Sequence, residues 1–164
     1  MSKVVGATLT PALQDRLSQR DLAWHLGEAM PFVTIDGSVR PHPMLISYLE
    51  VRAYDMGSVG LVIQAATDSA HNLELRNAAT LIVVDANVVA YVKLRRLDGP
   101  LPVVEDERLA YFMLSVEEVR QDQAAEAEGD ARMTTGPRFE PLPDLSSAWA
   151  LATLAAVKTP RARA

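Results

Sequence analysis

FVTIDGS at residues 32–38, then RPHPMLIS at 40–47, GLVIQA at 60–65, TDSAHNL at 67–73 and TLIVV at 80–84, decide how this chain reads. Phe32-Val33-Thr34-Ile35 is a short apolar strand running into the turn Asp36-Gly37-Ser38. A second strand opens with Arg40-Pro41-His42-Pro43 and continues through Met44-Leu45-Ile46-Ser47. A third, Gly60 to Ala65, ends at Thr67-Asp68-Ser69-Ala70-His71-Asn72-Leu73, and a fourth, Thr80 to Val84, follows a short helix. The order gathers small polar groups where a strand ends and a helix begins. Backbone N–H groups at a helix N-terminus lack intrahelical partners and point outward, so such a corner can hold a phosphate.

Working outward, Thr10-Pro11 reads as an N-cap with proline at the first helical position. Leu9, Leu13 and Leu17 recur at helical spacing behind it. Ser18, with Asp21 three residues on, predicts the cap of a second helix carrying Leu22, Trp24 and Leu26 and stopping at Gly27. From Met30 to Leu97 the pattern is β. Val51 to Asp55 reads as a continuation of the second strand, and Met56-Gly57-Ser58 as the turn out of it. Asp85-Ala86-Asn87 joins two β-rich runs, Leu81–Val84 and Val88–Leu94, and predicts an antiparallel hairpin.

Beyond the hairpin, Asp98-Gly99-Pro100 is expected to break the sheet, and Glu105 to Ala110 to form one or two helical turns. Phe112 to Val119 reads as a final strand, and Gln121 to Asp130 as a solvated loop or short helix. Met133 to Pro143 is punctuated by proline and extended. Leu145 to Val157 is a C-terminal helix capped at Asp144 or Ser146. Five or six antiparallel strands with a helix in front, one inserted and one at the end imply a mainly β fold with α. The expected architecture is a split β-barrel, antiparallel and Greek-key-like, with flanking helices; closing the sheet removes aggregation-prone edges. One domain covers residues 1–164, with leading helices over 1–29, the barrel over 30–122 and a loop and C-terminal helix over 123–164.

Bulk properties exclude several functions. The hydrophobic fraction is 49% and the charged fraction 23%, the balance of a chain that buries an ordinary core. A net charge of −5 argues against nucleic acid, which calls for concentrated Lys and Arg. No cysteine is present, so disulfides, thiolate catalysis and cysteine-ligated metals are out. No run approaches the ~18 apolar residues of a membrane span, and a cytoplasmic protein is the default expectation.

The pieces quoted at the outset, together with Phe112-Met113-Leu114-Ser115-Val116-Glu117-Glu118-Val119, resemble the pyridoxamine 5′-phosphate oxidase-like, FMN-binding split-barrel family over roughly Leu9 to Asp122. Order and spacing carry the resemblance. It implies a homodimer with FMN at the subunit interface and an FMN-dependent oxidoreductase acting on a small-molecule substrate that the sequence does not identify. It implies that Gln64, Ala65, Ala66 and Thr67 lie along the isoalloxazine and ribityl chain, that Ser69 bonds the phosphate, and that His71 stands where the family often has lysine, followed by Asn72. Met44 replaces an arginine of the true oxidase, and the basic C-terminal substrate segment of that enzyme has no counterpart. These departures keep a flavin-free split barrel, acting as a binding or assembly module, as the alternative, with a deazaflavin or haem as other cofactors.

Single residues carry less. His71 suits either a phosphate ligand or a surface position. His42, between prolines, reads as structural, and His25, beside Trp24, as a packing residue. Trp149 reads as helix-to-core packing in preference to a cover for the flavin. Three histidines so scattered give no metal-ligand spacing, so no metal site is expected. Ser47 and Ser69 sit in no nucleophile elbow, and no catalytic residue is identified.

Overall fold

A computed structural model describes residues 2–85, 88–122 and 133–161. Local patterning explains its strands. In β6 (Ala78–Asp85) every second residue, Ala79, Leu81 and Val83, is buried while its neighbours are half-buried or exposed. β2 (Ala29–Ile35) turns Met30, Phe32 and Thr34 inward, and β7 (Val88–Pro102) does the same with Ala90, Val92 and Leu94. This is period-2 alternation about one packed face. β5 (Ser58–Gln64) differs, with Val59 through Ile63 all buried. Its inner side chains enter the barrel. Val62 on the other face lies under the C-terminal helix α4 (Ala148–Val157), in a cluster with Leu109, Tyr111, Ala152, Ala156 and Val157.

All strand pairs are antiparallel, in the order β3-β2-β6-β7-β8-β5-β4, with β1 (Lys3–Gly6) added on β8 (Leu109–Asp122). The two ends of this path, β3 (Pro41–Ser47) and β4 (Val51–Ala53), are neighbours in sequence, joined only by the 3₁₀ turn Tyr48–Glu50. Seven strands laid flat at ~4.8 Å spacing would span about 29 Å. The chain from Ser47 to Val51 can reach at most about 14 Å. The sheet therefore has to curl, and it forms an antiparallel half-barrel. The helix α1 (Pro11–Arg16) plugs it with Leu9, Leu13 and Leu17, all buried, and Thr10 Oγ1 caps that helix by accepting from Leu13 N–H at 3.3 Å.

Several local expectations are corrected. The sheet has eight strands, not five or six. Val51 does not prolong the second strand: the Tyr48–Glu50 turn intervenes, because Ser47 and Glu50 form a capping box, and β4 pairs with β5. Asp98-Gly99-Pro100 does not end β7, which runs on with shifted register. Gly99, at φ +100°, permits this, since a Cβ there would stand 2.5 Å from the Tyr111 carbonyl oxygen. Residues 105–110 are not helical; a turn leads straight into β8. The second helix α2 (Leu22–His25) has no side-chain cap, Ser18 Oγ donating instead to the Asp15 carbonyl. α4 is capped by Ser147, and most of the expected loop at 121–130 lies outside the described residues. Among the described residues no helix is long and apolar enough to cross a membrane.

Candidate functional site

The corner after β5 is built by local chemistry. Thr67 accepts from Ala70 N–H at 3.3 Å and donates to the Gln64 carbonyl at 2.8 Å, which ties the strand end to the start of helix α3 (Asp68–Arg76). Arg108, just before β8, accepts from Ala65 N–H through its carbonyl at 2.8 Å, so the turn is held from both sides. The far end of α3 closes at Asn77, φ +56°, and Arg96 bonds Asn77 Oδ1 at 2.6 and 2.8 Å.

An open cleft of about 380 Å³ lies beside this helix N-terminus, lined by His42, Met44, Ala66, Thr67, Asp68 and Ser69. That volume falls in the usual range for small-molecule sites, roughly 300–1,000 Å³. His42 and Met44 reach it because they share the inner face of β3 with buried Ile46, opposite Thr34 and Phe32 of β2. The alternation Pro41 out, His42 in, Pro43 out was the signal that could have placed His42 in the site.

The residues named from the sequence divide. Ala66, Thr67 and Ser69 meet at the cleft. Gln64, at the end of β5, and Ala65, in the turn after it, are exposed and do not line the cleft, nor does His71, exposed one turn along α3. Ser69, though on the cleft wall, is only 1% exposed, so side chain and backbone alike are nearly covered. Asn72 is buried in the middle of α3, and its Nδ2 donates to Thr34 Oγ1 at 3.1 Å. Arg76, in the last turn, donates to the Gly37 carbonyl at 2.8 Å, at the opposite end of the helix from the cleft.

These groups can be tested against a flavin nucleotide. First-turn N–H groups and the His42 ring suit the polar tail, the Thr67 hydroxyl proton being given to the Gln64 carbonyl, and Met44 and Ala66 suit an apolar ring edge. The charge is less favourable. Among the described residues no Lys or Arg lines the cleft, and Asp68 adds a carboxylate at the point a phosphate would approach. Hydrogen bonding fits the group; electrostatic compensation within one chain is incomplete.

No family model matches the chain, and no curated protein matches its sequence. Solved structures do match its fold. A variant of HupZ from Group A Streptococcus is 11% identical with a TM-score of 0.54, covering 70% of this chain and 99% of its own. A pyridoxamine 5′-phosphate oxidase candidate from Lactobacillus delbrueckii is 16% identical with a TM-score of 0.52, covering 73% and 98%. A conserved hypothetical protein from Mycobacterium tuberculosis is 11% identical with a TM-score of 0.51, covering 82% and 97%. The curled antiparallel sheet, its plugging helix and these matches agree: the chain has the pyridoxamine 5′-phosphate oxidase-like split-barrel fold.

Proposed function

We propose that this protein binds a flavin-type cofactor, FMN in the first instance, in the cleft at the start of α3, and works as a homodimeric oxidoreductase on a small molecule. The observation that carries the reading is the cleft itself: a ligand-sized opening at a capped helix N-terminus, on a fold shared with an oxidase candidate. In this reading Met44 and Ala66 flank the isoalloxazine and ribityl chain inside the cleft, and Gln64 and Ala65, outside it, meet the part of the cofactor that projects beyond. The start of α3 at Thr67 and Ser69 and the His42 ring face the phosphate, with His71 one helical turn farther on, while Asn72 fixes the helix that presents them. The cofactor supplies hydride or electron transfer, and the chain supplies binding and orientation.

The dimer is supported by the outer face of β2 and β3. Pro31 pairs with Leu45, Val33 with Pro43 and Ile35 with Pro41, all apolar and all partly or fully exposed. Such a contiguous apolar face on a sheet is characteristic of an interaction site. A composite site would also let a second chain complete the charge balance that one chain leaves open.

The visible spectrum of the isolated protein, with and without added FMN, tests the reading. Flavin bands that stay with the protein, and quenching of flavin fluorescence on titration, are expected. Colourless protein that leaves FMN fluorescence unchanged removes it and favours a flavin-free binding module, the reading that Asp68 and the uncharged Met44 support.

A further inference from the structure

A second cavity, of about 100 Å³, lies at the other end of β2, between α1–α2 and the segment 134–138. Ala29 on its wall and Thr34 beside α3 are about 17 Å apart along the strand at ~3.3 Å per residue, so this cavity is separate from the cleft. Its wall is Arg16. The Arg16 side chain is 9% exposed, and its Nη2 donates to Glu28 Oε2. Nε and Nη1 are buried with no hydrogen-bond partner among the described residues; Asp85 Oδ2 stands 3.8 Å from Nε, beyond hydrogen-bond reach. Buried donors of a charged group are rarely left without an acceptor, and where the protein supplies none a bound ion or ligand can.

Both Glu28 oxygens are already engaged, Oε2 by Arg16 Nη2 and Oε1 at 2.9 Å from His25 Nδ1. That contact, with the tilted packing of His25 on Tyr48 at 4.8 Å between ring centroids, fixes the imidazole in the cavity wall. The opposite wall is fixed. Ala29 N–H donates to the Pro137 carbonyl at 3.0 Å, Phe139 N–H to the Gly27 carbonyl at 2.7 Å, and Arg138 Nη2 to the Leu26 carbonyl at 2.9 Å.

We propose that this cavity binds the carboxylate group of a small monoanion, received by Arg16 Nη1 beside the His25 ring. A cavity needs only about 10–15 Å³ per water, so there is room for a carboxylate with a short substituent but not for a flavin. Glu28 and Asp85 in the same wall disfavour a dianion, whereas charge-assisted bonds from a desolvated guanidinium suit a single planar carboxylate. The proposal does not depend on the flavin reading.

The test follows the histidine imidazole resonances of the full chain by NMR while sodium acetate is titrated at constant ionic strength. The His25 signals are expected to shift and saturate in the millimolar range, as suits a ligand of so few atoms. His42 and His71 should stay in place, and phosphate should bind roughly tenfold more weakly. Arg16→Gln should abolish the shift. Should that variant not fold, Thr135→Glu, an exposed position on the cavity wall, puts a tethered carboxylate there and should also abolish it. No saturation at His25, equal movement of all three histidines, phosphate binding as well as acetate, or an unchanged response in Thr135→Glu each overturns the proposal. Failure of FMN to bind would leave it untouched.

Discussion

Asn72 Nδ2 donates to Thr34 Oγ1 across 3.1 Å inside the barrel, and Thr34 Oγ1 in turn lies 3.4 Å from the His42 carbonyl. One chain of contacts thus links the helix that starts at the cleft to the strand that carries His42. Asn72→Leu keeps the bulk and removes the donor. The expected cost is about 1–3 kcal/mol in urea denaturation, the range for breaking a buried polar pair. An unchanged denaturation midpoint would mean the pair contributes nothing.

Burial pushes the Glu50 carboxyl up from 4.5 to about 7, opposed by the hydrogen bond it accepts from Ser47 N–H at 2.6 Å. Its protonated form is the one the folded state prefers. The group's stabilising contribution is complete below pH 4.5 and disappears as pH rises through about 7, a change of roughly 3 kcal/mol. Glu50→Gln retains an acceptor for Ser47 and cannot ionise. It should match wild type at pH 5 and exceed it at pH 8. Comparing the two proteins cancels Asp36, Asp106, Glu118 and Asp144, which are held low by their partners and act in the opposite direction. Equal stabilities at pH 8 would sink this assignment.

The barrel was legible because its strands alternate. Leu81, Val83, Val92 and Leu94 declare a face without help from the rest of the chain. The errors fall where long-range structure overrides local signals. Asp98-Gly99-Pro100 has the composition of a break, but pairing with Tyr111 and Met113 carries β7 through it. Val51 has the composition of a strand continuing β3, yet the Ser47–Glu50 capping box turns the chain onto β5. At the cleft, Thr67 reads as a ligand contact, whereas its side chain caps α3. The inward turn of Ser69 and Asn72 was not legible, because it depends on where α3 lands against β2. Arg16 gave no sign either, since its environment is assembled from α1, β2 and the segment after residue 133.

A Cβ at Gly60 would stand 2.2 Å from the Tyr54 hydroxyl and 2.8 Å from its Cζ. The Tyr54 ring is held there, its hydroxyl 3.1 Å from that of Tyr111 and 3.2 Å from the Thr159 carbonyl. Gly60→Ala should therefore cost about 1–3 kcal/mol through forced displacement of the ring. Tyr54→Ala opens that space, so adding Gly60→Ala to it should cost much less. Additive losses in this double-mutant cycle would place the strain elsewhere.

Leu45, 49% exposed on edge strand β3, lies on the apolar face proposed for the dimer. Wild type should scatter light as two 17.9 kDa chains and Leu45→Glu as one, because a buried like-charged pair across a two-fold axis is unfavourable. The substitution adds a charge to a solvent-facing position and should leave the monomer folded. A monomeric wild type, or a variant still dimeric, would move the interface elsewhere or remove it.

Asp68 is the sharpest probe of where a phosphate would sit. In the first turn of α3 its carboxylate stabilises the helix by roughly 0.3–1 kcal/mol through the positive end of the dipole. The same charge repels an anion approaching those N–H groups, by about 1 kcal/mol for unit charges ~4 Å apart in a water-like dielectric. Asp68→Asn should thus lower stability slightly while tightening FMN roughly fivefold at low salt, an effect that fades as salt is added. Riboflavin, which has the same ring and no phosphate, should bind both proteins alike. Equal gains for FMN and riboflavin would assign the effect to helix geometry. No gain for either would show that the phosphate does not approach the start of α3, and with it the proposed orientation of the cofactor would fail.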